Sequence, residues 1–235
     1  MGLNLATNQC LTAPVSISAP QPFTFMCWVK KASTYFEPMS MISLGDVSEA
    51  LSFNAMQAQN EWTRAISFAA FAAASDATHL IDDDVNHFLC AVFGASSIVF
   101  YFDDNTPTTQ AWSPSGSVAF DLMAVGRTAN SGGAEFFTGT IEHAACWNVA
   151  LNSTQVGNLY ACTTAPSEIS GLQFYFPFSD SLTDSVGTLS WSASNLGSPT
   201  YTSLGITYPS GGEPPAGGSN ISSKVVLYLM QQGFI

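Results

Sequence analysis

The run from Glu135 to Tyr160, EFFTGTIEHAACWNVALNSTQVGNLY, constrains the fold more than any other stretch, because its period changes midway. Ile141, His143 and Ala145 alternate with Glu142, Ala144 and Cys146, which is the spacing of a strand with two chemically different faces, and Trp147 closes the run. Beyond it Leu151, Val156, Leu159 and Tyr160 keep roughly helical spacing. Asn152 or Ser153 can cap a short helix near 152–160, of about two turns, by accepting a free amide of the first turn.

Other segments repeat the strand period. In FTFMCWVK, Phe23, Phe25, Cys27 and Val29 fall on one face and Thr24, Met26, Trp28 and Lys30 on the other. Further strands are expected at Met39–Leu44, Leu51–Ala55, His87–Phe93, Ser97–Phe102 and Phe120–Arg127. A turn follows Phe102 at Asp103-Asp104-Asn105. Residues 3–17 read as an edge strand ending at Pro20 and Pro22, since proline cannot donate to a ladder. Ala-rich Arg64–Ala74 favours a helix by propensity but a strand by context, and the short spacing of its neighbours favours the strand. In GLQFYFPF, Leu172, Phe174, Phe176 and Phe178 alternate onto one face, and this strand is expected to return to the sheet near the first one.

Composition agrees with one large all-β domain at 1–208. Hydrophobic residues make up 46% of the chain and charged residues only 9%, too apolar for disorder and too interrupted for a membrane span. The net charge is −12 with Lys30, Lys31, Arg64, Arg127 and Lys224 as the cations, which argues against nucleic acid and against anionic membrane surfaces. Cys10, Cys27, Cys90, Cys146 and Cys162 include no CxxC pair, so neither a zinc site nor a disulfide framework is expected; Cys27, Cys90 and Cys146 read as small buried hydrophobes. The first residues have neither a basic region nor a continuous apolar core, and Ala6 stands where a myristoylation signal needs Ser or Thr, so neither secretion signal nor acyl anchor is expected.

The order Gly139, Ile141, Glu142, Trp147, Asn148, Ala150, Leu151, Gln155, Leu159 resembles the closing strand and short helix of laminin-G-like, concanavalin A-like jelly rolls of the lectin/glucanase superfamily. FTFMCWVK resembles the opening strand of the same family, DLMAVGR the strand before its glycine-rich loop, and GLQFYFPF a strand that recurs beside such domains. The resemblance implies a two-sheet antiparallel jelly-roll sandwich. Glu142 replaces the family's usual Asp and His143 a following acid, so a metal or ligand role for that acid does not carry over.

Glycanases on such folds need an acid and a nucleophile flanking the sugar bond. Here Glu142 is alone in its strand, Glu135 precedes a turn, and consecutive Asp82, Asp83 and Asp84 point apart, so no enzyme is expected. His79, His87 and His143 lack metal-ligand spacing, and no nucleophile elbow is present. Calcium is the cation that oxygen-rich turns would take, with Asp82, Asp84, Asp103 and Asp180 as candidate ligands; the competing reading is solvated turn acids. Glycans stack on exposed rings, and Tyr35, Trp62, Trp112 and Trp191 lie in loop-like segments suited to that, each of which is also readable as a rim hydrophobe.

Composition changes at Tyr208. Residues 209–219 form a Pro/Gly linker, and 220–235 place Val225, Leu227, Leu229, Met230, Phe234 and Ile235 in a piece too short to bury itself. Such a segment folds back, joins copies of itself, or inserts into another protein, and the tether favours the last two. The combination resembles accessory proteins on bacteriophage particles. The reading is a non-catalytic virion-surface decoration or adhesion protein, multi-copy or homo-oligomeric, held to other structural proteins through 220–235 and touching host glycans. The alternatives are a free extracellular lectin module and, behind it, a glycoside hydrolase.

Overall fold

The computed structural model describes residues 1–6, 8–19, 22–32, 39–45, 52–54, 57–58, 64–65, 74–75, 84–103, 106–111, 118–127, 129, 136–179, 181–186 and 189–209. In chain order the elements are β1 (Gly2–Leu5), β2 (Cys10–Ala19), β3 (Phe23–Lys31), β4 (Met39–Ser40), β5 (Ile42–Gly45), β6 (Ser52–Asn54), β7 (Gln57–Ala58), β8 (Arg64–Ala65) and β9 (Ala74–Ser75). They continue with β10 (Asn86–Phe93), β11 (Ser97–Phe102), β12 (Thr108–Ala111), β13 (Val118–Val125), β14 (Gly139–Trp147), α1 (Ser153–Tyr160), β15 (Leu172–Phe176), β16 (Ser192–Ser194) and β17 (Thr200–Thr202). A large sheet runs β12-β11-β10-β3-β14-β1-β17, with β15 also on β14, and a smaller one runs β16-β2-β13-β5-β6. All their pairings are antiparallel, and the two sheets form a jelly-roll sandwich.

The core between the sheets is aromatic. Phe23, Phe25, Cys27 and Val29 of β3 enter it, as the alternation in FTFMCWVK requires, and meet Leu89, Ala91 and Phe93 of β10 and Met123 and Val125 of β13. Phe23 stacks on Phe93 with ring centroids 4.5 Å apart, and each such ring contributes roughly 1.5–3 kcal/mol of burial. The opposite face of the large sheet is also covered. Met26, Trp28, Phe88, Cys90, Ala145 and Trp147 form a second cluster with Leu151, Val156 and Leu159 of the α1 region and with Leu204 and Ile206.

Local chemistry explains how α1 sits there. Asn152 caps it, accepting from Gln155 N at 2.9 Å while Gln155 Oε1 accepts from Asn152 N at 3.0 Å, a reciprocal capping box. Buried Thr24 of β3 fixes the approach: its hydroxyl donates to Val149 O at 2.8 Å and accepts from Leu151 N at 3.1 Å. Residues 189–209 then strap the sandwich, running from the edge of the small sheet (β16) to the edge of the large one (β17) and on over its outer cluster.

Two expectations need correction. Residues 3–17 are two strands, not one edge strand: β1 lies between β14 and β17, and β2 between β13 and β16. The switch of sheet occurs at a turn closed by Gln9 N donating to Ala6 O at 3.0 Å, with Asn8 at φ 70, and Pro14 is accommodated inside β2 where the register against β13 slips. Leu172 does not share a face with Phe174 and Phe176, because the register against β14 slips between Cys146 and Trp147 and sends Leu172 to the outer cluster. In 64–74 the described strands are Arg64–Ala65, paired with Ala74–Ser75, and the residues between them lie outside the described set. GLQFYFPF does return to the sheet as expected, pairing with β14 in line with β1 along the same edge.

Candidate functional site

The alternation read across β14 breaks at His143. The strand pairs with β3 along its whole length, and the register shifts between Glu142 and Ala145, where His143 adopts φ 54. This bulge resets the faces: Ile141, Ala144 and Cys146 enter the inter-sheet core, while Ala145 and Trp147 enter the outer cluster. A non-glycine residue in that backbone region costs about 1–3 kcal/mol and persists only where its surroundings hold it. The break falls opposite the gap between β1, which pairs with residues 139–141, and β15, which pairs with 144–147.

Those surroundings are polar. Glu142 is wholly buried; its Oε2 accepts from Leu204 N at 2.9 Å, and the amino nitrogen of Met1 lies 2.7 Å from Oε1. His143 Nε2 sits 3.4 Å from Ile206 O, and Nδ1 sits 2.6 Å from the Tyr175 hydroxyl. A carbonyl can only accept, so Nε2 carries the proton and Nδ1 takes the hydrogen of Tyr175. Burial lowers the pKa of His143 to about 4, partly offset by the Ile206 carbonyl and reinforced by the Met1 ammonium, so the ring is neutral at physiological pH. Burial, with the Glu142 charge behind it, drives the Tyr175 phenol up. Tyr208 completes the floor, donating to Leu159 O at 2.7 Å and accepting from Trp28 Nε1 at 3.1 Å.

Above this floor opens a cleft of about 390 Å³, within the roughly 300–1,000 Å³ of small-ligand sites. Tyr175, Tyr208, Pro177, Pro209 and Ile206 supply apolar surface, and exposed Ser167, Ser179 and Thr207 supply hydroxyls. Its lining includes no residue singled out from the sequence as a ligand contact. The missed signal was Glu142 beside His143 inside an otherwise apolar strand: two adjacent buried polar side chains fit on one covered face only if the pleat is broken between them.

Of the residues anticipated from the sequence, Trp191 is half-buried, its ring edge-on to Phe174 and Phe176 at 5.4 and 4.7 Å. Asp84 is exposed, at φ 59, with Lys30 Nζ 3.9 Å away. Asp103 ties the β10–β11 hairpin, accepting from Phe88 N at 2.7 Å and meeting His87 Nδ1 at 2.8 Å. Asp184, four residues beyond Asp180, is buried and accepts from Tyr175 N and Val186 N at 2.9 and 3.0 Å. Tyr35, Trp62, Trp112, Asp82, Asp180 and the anchoring positions in 220–235 lie outside the described residues. Among the described residues no cluster of three or more His, Cys, Asp or Glu is arranged to hold a metal ion. Glu142 is spent on a backbone amide and on an amine, a structural use of the acid rather than that of a solvent-facing proton donor.

The model of the concanavalin A-like lectin/glucanases superfamily matches residues 5–157. No curated protein sequence matches the chain significantly. Among solved structures the chain resembles a Bacteroides ovatus protein provisionally described as carbohydrate-binding, at 12% identity and TM-score 0.58, covering 89% of this chain and 62% of that one. It also resembles the native heptameric SAP-like pentraxin of Limulus polyphemus, at 12% identity and TM-score 0.53, covering 82% of this chain and 94% of that one. Ruminococcus gnavus IT-sialidase CBM40 bound to α2,3-sialyllactose aligns at 11% identity and TM-score 0.49, over 68% of this chain and 96% of that one. At such identities the likeness is one of fold.

Proposed function

We propose, on the premise that this chain belongs to the concanavalin A-like lectin/glucanase superfamily, that it is a non-catalytic carbohydrate-recognition module displayed on a virion surface. The observation that carries the reading is the fate of Glu142. The one acid of the closing strand is wholly buried and bonded to the strap at Leu204, so it supports the scaffold instead of facing a glycosidic bond. The Bacteroides protein, provisionally described as carbohydrate-binding, supports the choice of ligand class. Display in many copies follows from the Pro/Gly tether and the apolar residues 220–235, which need a partner surface, and the heptameric pentraxin offers a precedent for multi-copy use of this fold. A free extracellular lectin module is the second reading, favoured by the same sandwich without the tail.

A glycan array on the full chain, with and without calcium, tests recognition; silence in both conditions leaves only the structural role. Truncation after Ser219 tests display: the truncated chain is expected to leave its particle and lose its oligomeric state, and retention of both defeats the anchoring idea. Hydrolysis of a polysaccharide by the purified full chain would instead establish an enzyme.

A further inference from the structure

We infer that the cleft over His143 and Tyr175 is a sugar subsite, and that its ligand is an uncharged pyranose at the exposed end of a glycan. The inference rests on the reading of the chain as a carbohydrate-recognition module and deepens it by naming the place and the sugar class.

Shape and surface come first. At about 390 Å³ the cleft lies near the small end of ligand sites, enough for a terminal ring and not for an extended chain. A pyranose has an apolar face of C–H groups and an equator of hydroxyls. The rings of Tyr175 and Tyr208 with Pro177, Pro209 and Ile206 match the first, and the exposed hydroxyls of Ser167, Ser179 and Thr207 match the second.

Charge then selects the class. The side chains lining the cleft include no Lys, Arg, Asp or Glu, and both nitrogens of His143 are committed, one to Ile206 O and the other to Tyr175. The amine of Met1 stands 2.7 Å from Glu142, which compensates its charge. A carboxylated sugar entering here would find no uncompensated cation among the described lining residues to offset repulsion from a chain of net charge −12. An uncharged ring meets none of that repulsion. The floor is also where the backbone holds strain, at His143, and rigid placement of a site is one return for such strain.

The test uses the full chain on an array of neutral, sialylated and uronic-acid glycans, followed by calorimetric titration of the best neutral hit. Ser167→Trp and Thr207→Trp, both at exposed positions, obstruct the cleft; Ser16→Trp, exposed on the outer face of the small sheet, is the control. Wild type is expected to prefer neutral glycans, both obstructing variants to bind at least tenfold more weakly with unchanged thermal melting, and Ser16→Trp to bind as wild type. Undiminished binding in both obstructing variants, or loss in Ser16→Trp alone, overturns the cleft while leaving the recognition module standing. Preference for acidic glycans overturns the sugar class. Absence of binding by wild type to any glycan sinks the module reading itself, and the cleft with it.

Discussion

Acidification should destabilise this fold through His143. Its pKa falls from the ordinary 6.5 to about 4 in the folded chain, chiefly through burial. Glu142 Oε1, 4.0 Å from Nε2, opposes this: two unit charges at 4 Å attract by about 4 kcal/mol at an effective dielectric of 20, enough to hold the ring protonated if the carboxylate were uncompensated. The Met1 ammonium, 2.7 Å from that same oxygen, cancels most of the field, and burial wins. The sign follows. Above pH 6.5 the ring is neutral in both states and costs nothing. Between 6.5 and about 4 the unfolded chain binds a proton that the folded chain refuses, so stability drops as pH falls and levels off below 4. At 1.36 kcal/mol per pH unit, that span corresponds to about 3 kcal/mol. Urea denaturation at half-unit steps from pH 7.5 to 3.5, on wild type and His143→Asn, isolates the effect, since Asn tolerates a positive φ and keeps a donor and an acceptor. The variant should lose about 3 kcal/mol less than wild type across the window. Parallel curves, or an NMR titration of the His143 ring with a midpoint at or above 6.5, would refute the reasoning.

Other perturbations test the packing that supports the site. Trp147→Ala empties the centre of the outer cluster and should cost about 3–5 kcal/mol in chemical denaturation, since the ring is fully buried against α1. Asn152→Ala removes the capping box and should cost about 1 kcal/mol, read as a lower melting temperature with the sheet intact by circular dichroism. None of the five cysteines is in a disulfide, and burial pushes the thiols of Cys27, Cys90 and Cys146 up, so a thiol reagent should label half-buried Cys162 first in the native protein and reach those three only on unfolding. Prompt native labelling at Cys27 would contradict the packing of β3.

Particular residues show which physics is legible in a sequence. FTFMCWVK announced its strand and its inner face because nothing interrupts the pleat between Phe23 and Val29. Asn152 announced the helix start because the cap is local, needing only Gln155 in return. The faces of β14 and β15 were misassigned for one reason: a bulge adds a residue to one strand only, and a period-two reading carries the wrong phase through everything beyond it. Ala144 and Cys146 are core residues, as the structure shows, only because His143 absorbs that extra step. The cleft was illegible for a different reason. Its walls come from segments at 143, 165–167, 175–179 and 206–209, brought together by the strap, and no local pattern reports a contact across such distances in sequence.

The second covered face of the large sheet limits where recognition can occur. A sandwich with an open sheet can present a ligand to a row of outward side chains. Here Met26, Trp28, Phe88, Cys90 and Trp147 are buried beneath α1 and the strap, so that option is closed on the large sheet. On the small sheet, Pro14, Ser16 and Asp121 are exposed, with no aromatic ring among them. Rings, hydroxyls and concavity coincide where the strap crosses the bulge: His143, bonded to Ile206, lines the cleft, and Glu142 to Leu204 N and Asn86 Nδ2 to Leu204 O at 2.9 Å hold the strap down beside it. The strap ends at Pro209, in the cleft wall, where the Pro/Gly tether begins. A load on the tether would therefore reach the cleft through residues 204–209, and the bonds of Tyr208 to Leu159 O and Trp28 Nε1 and of Ile206 O to His143 meet it before the bond from Glu142 to Leu204 does.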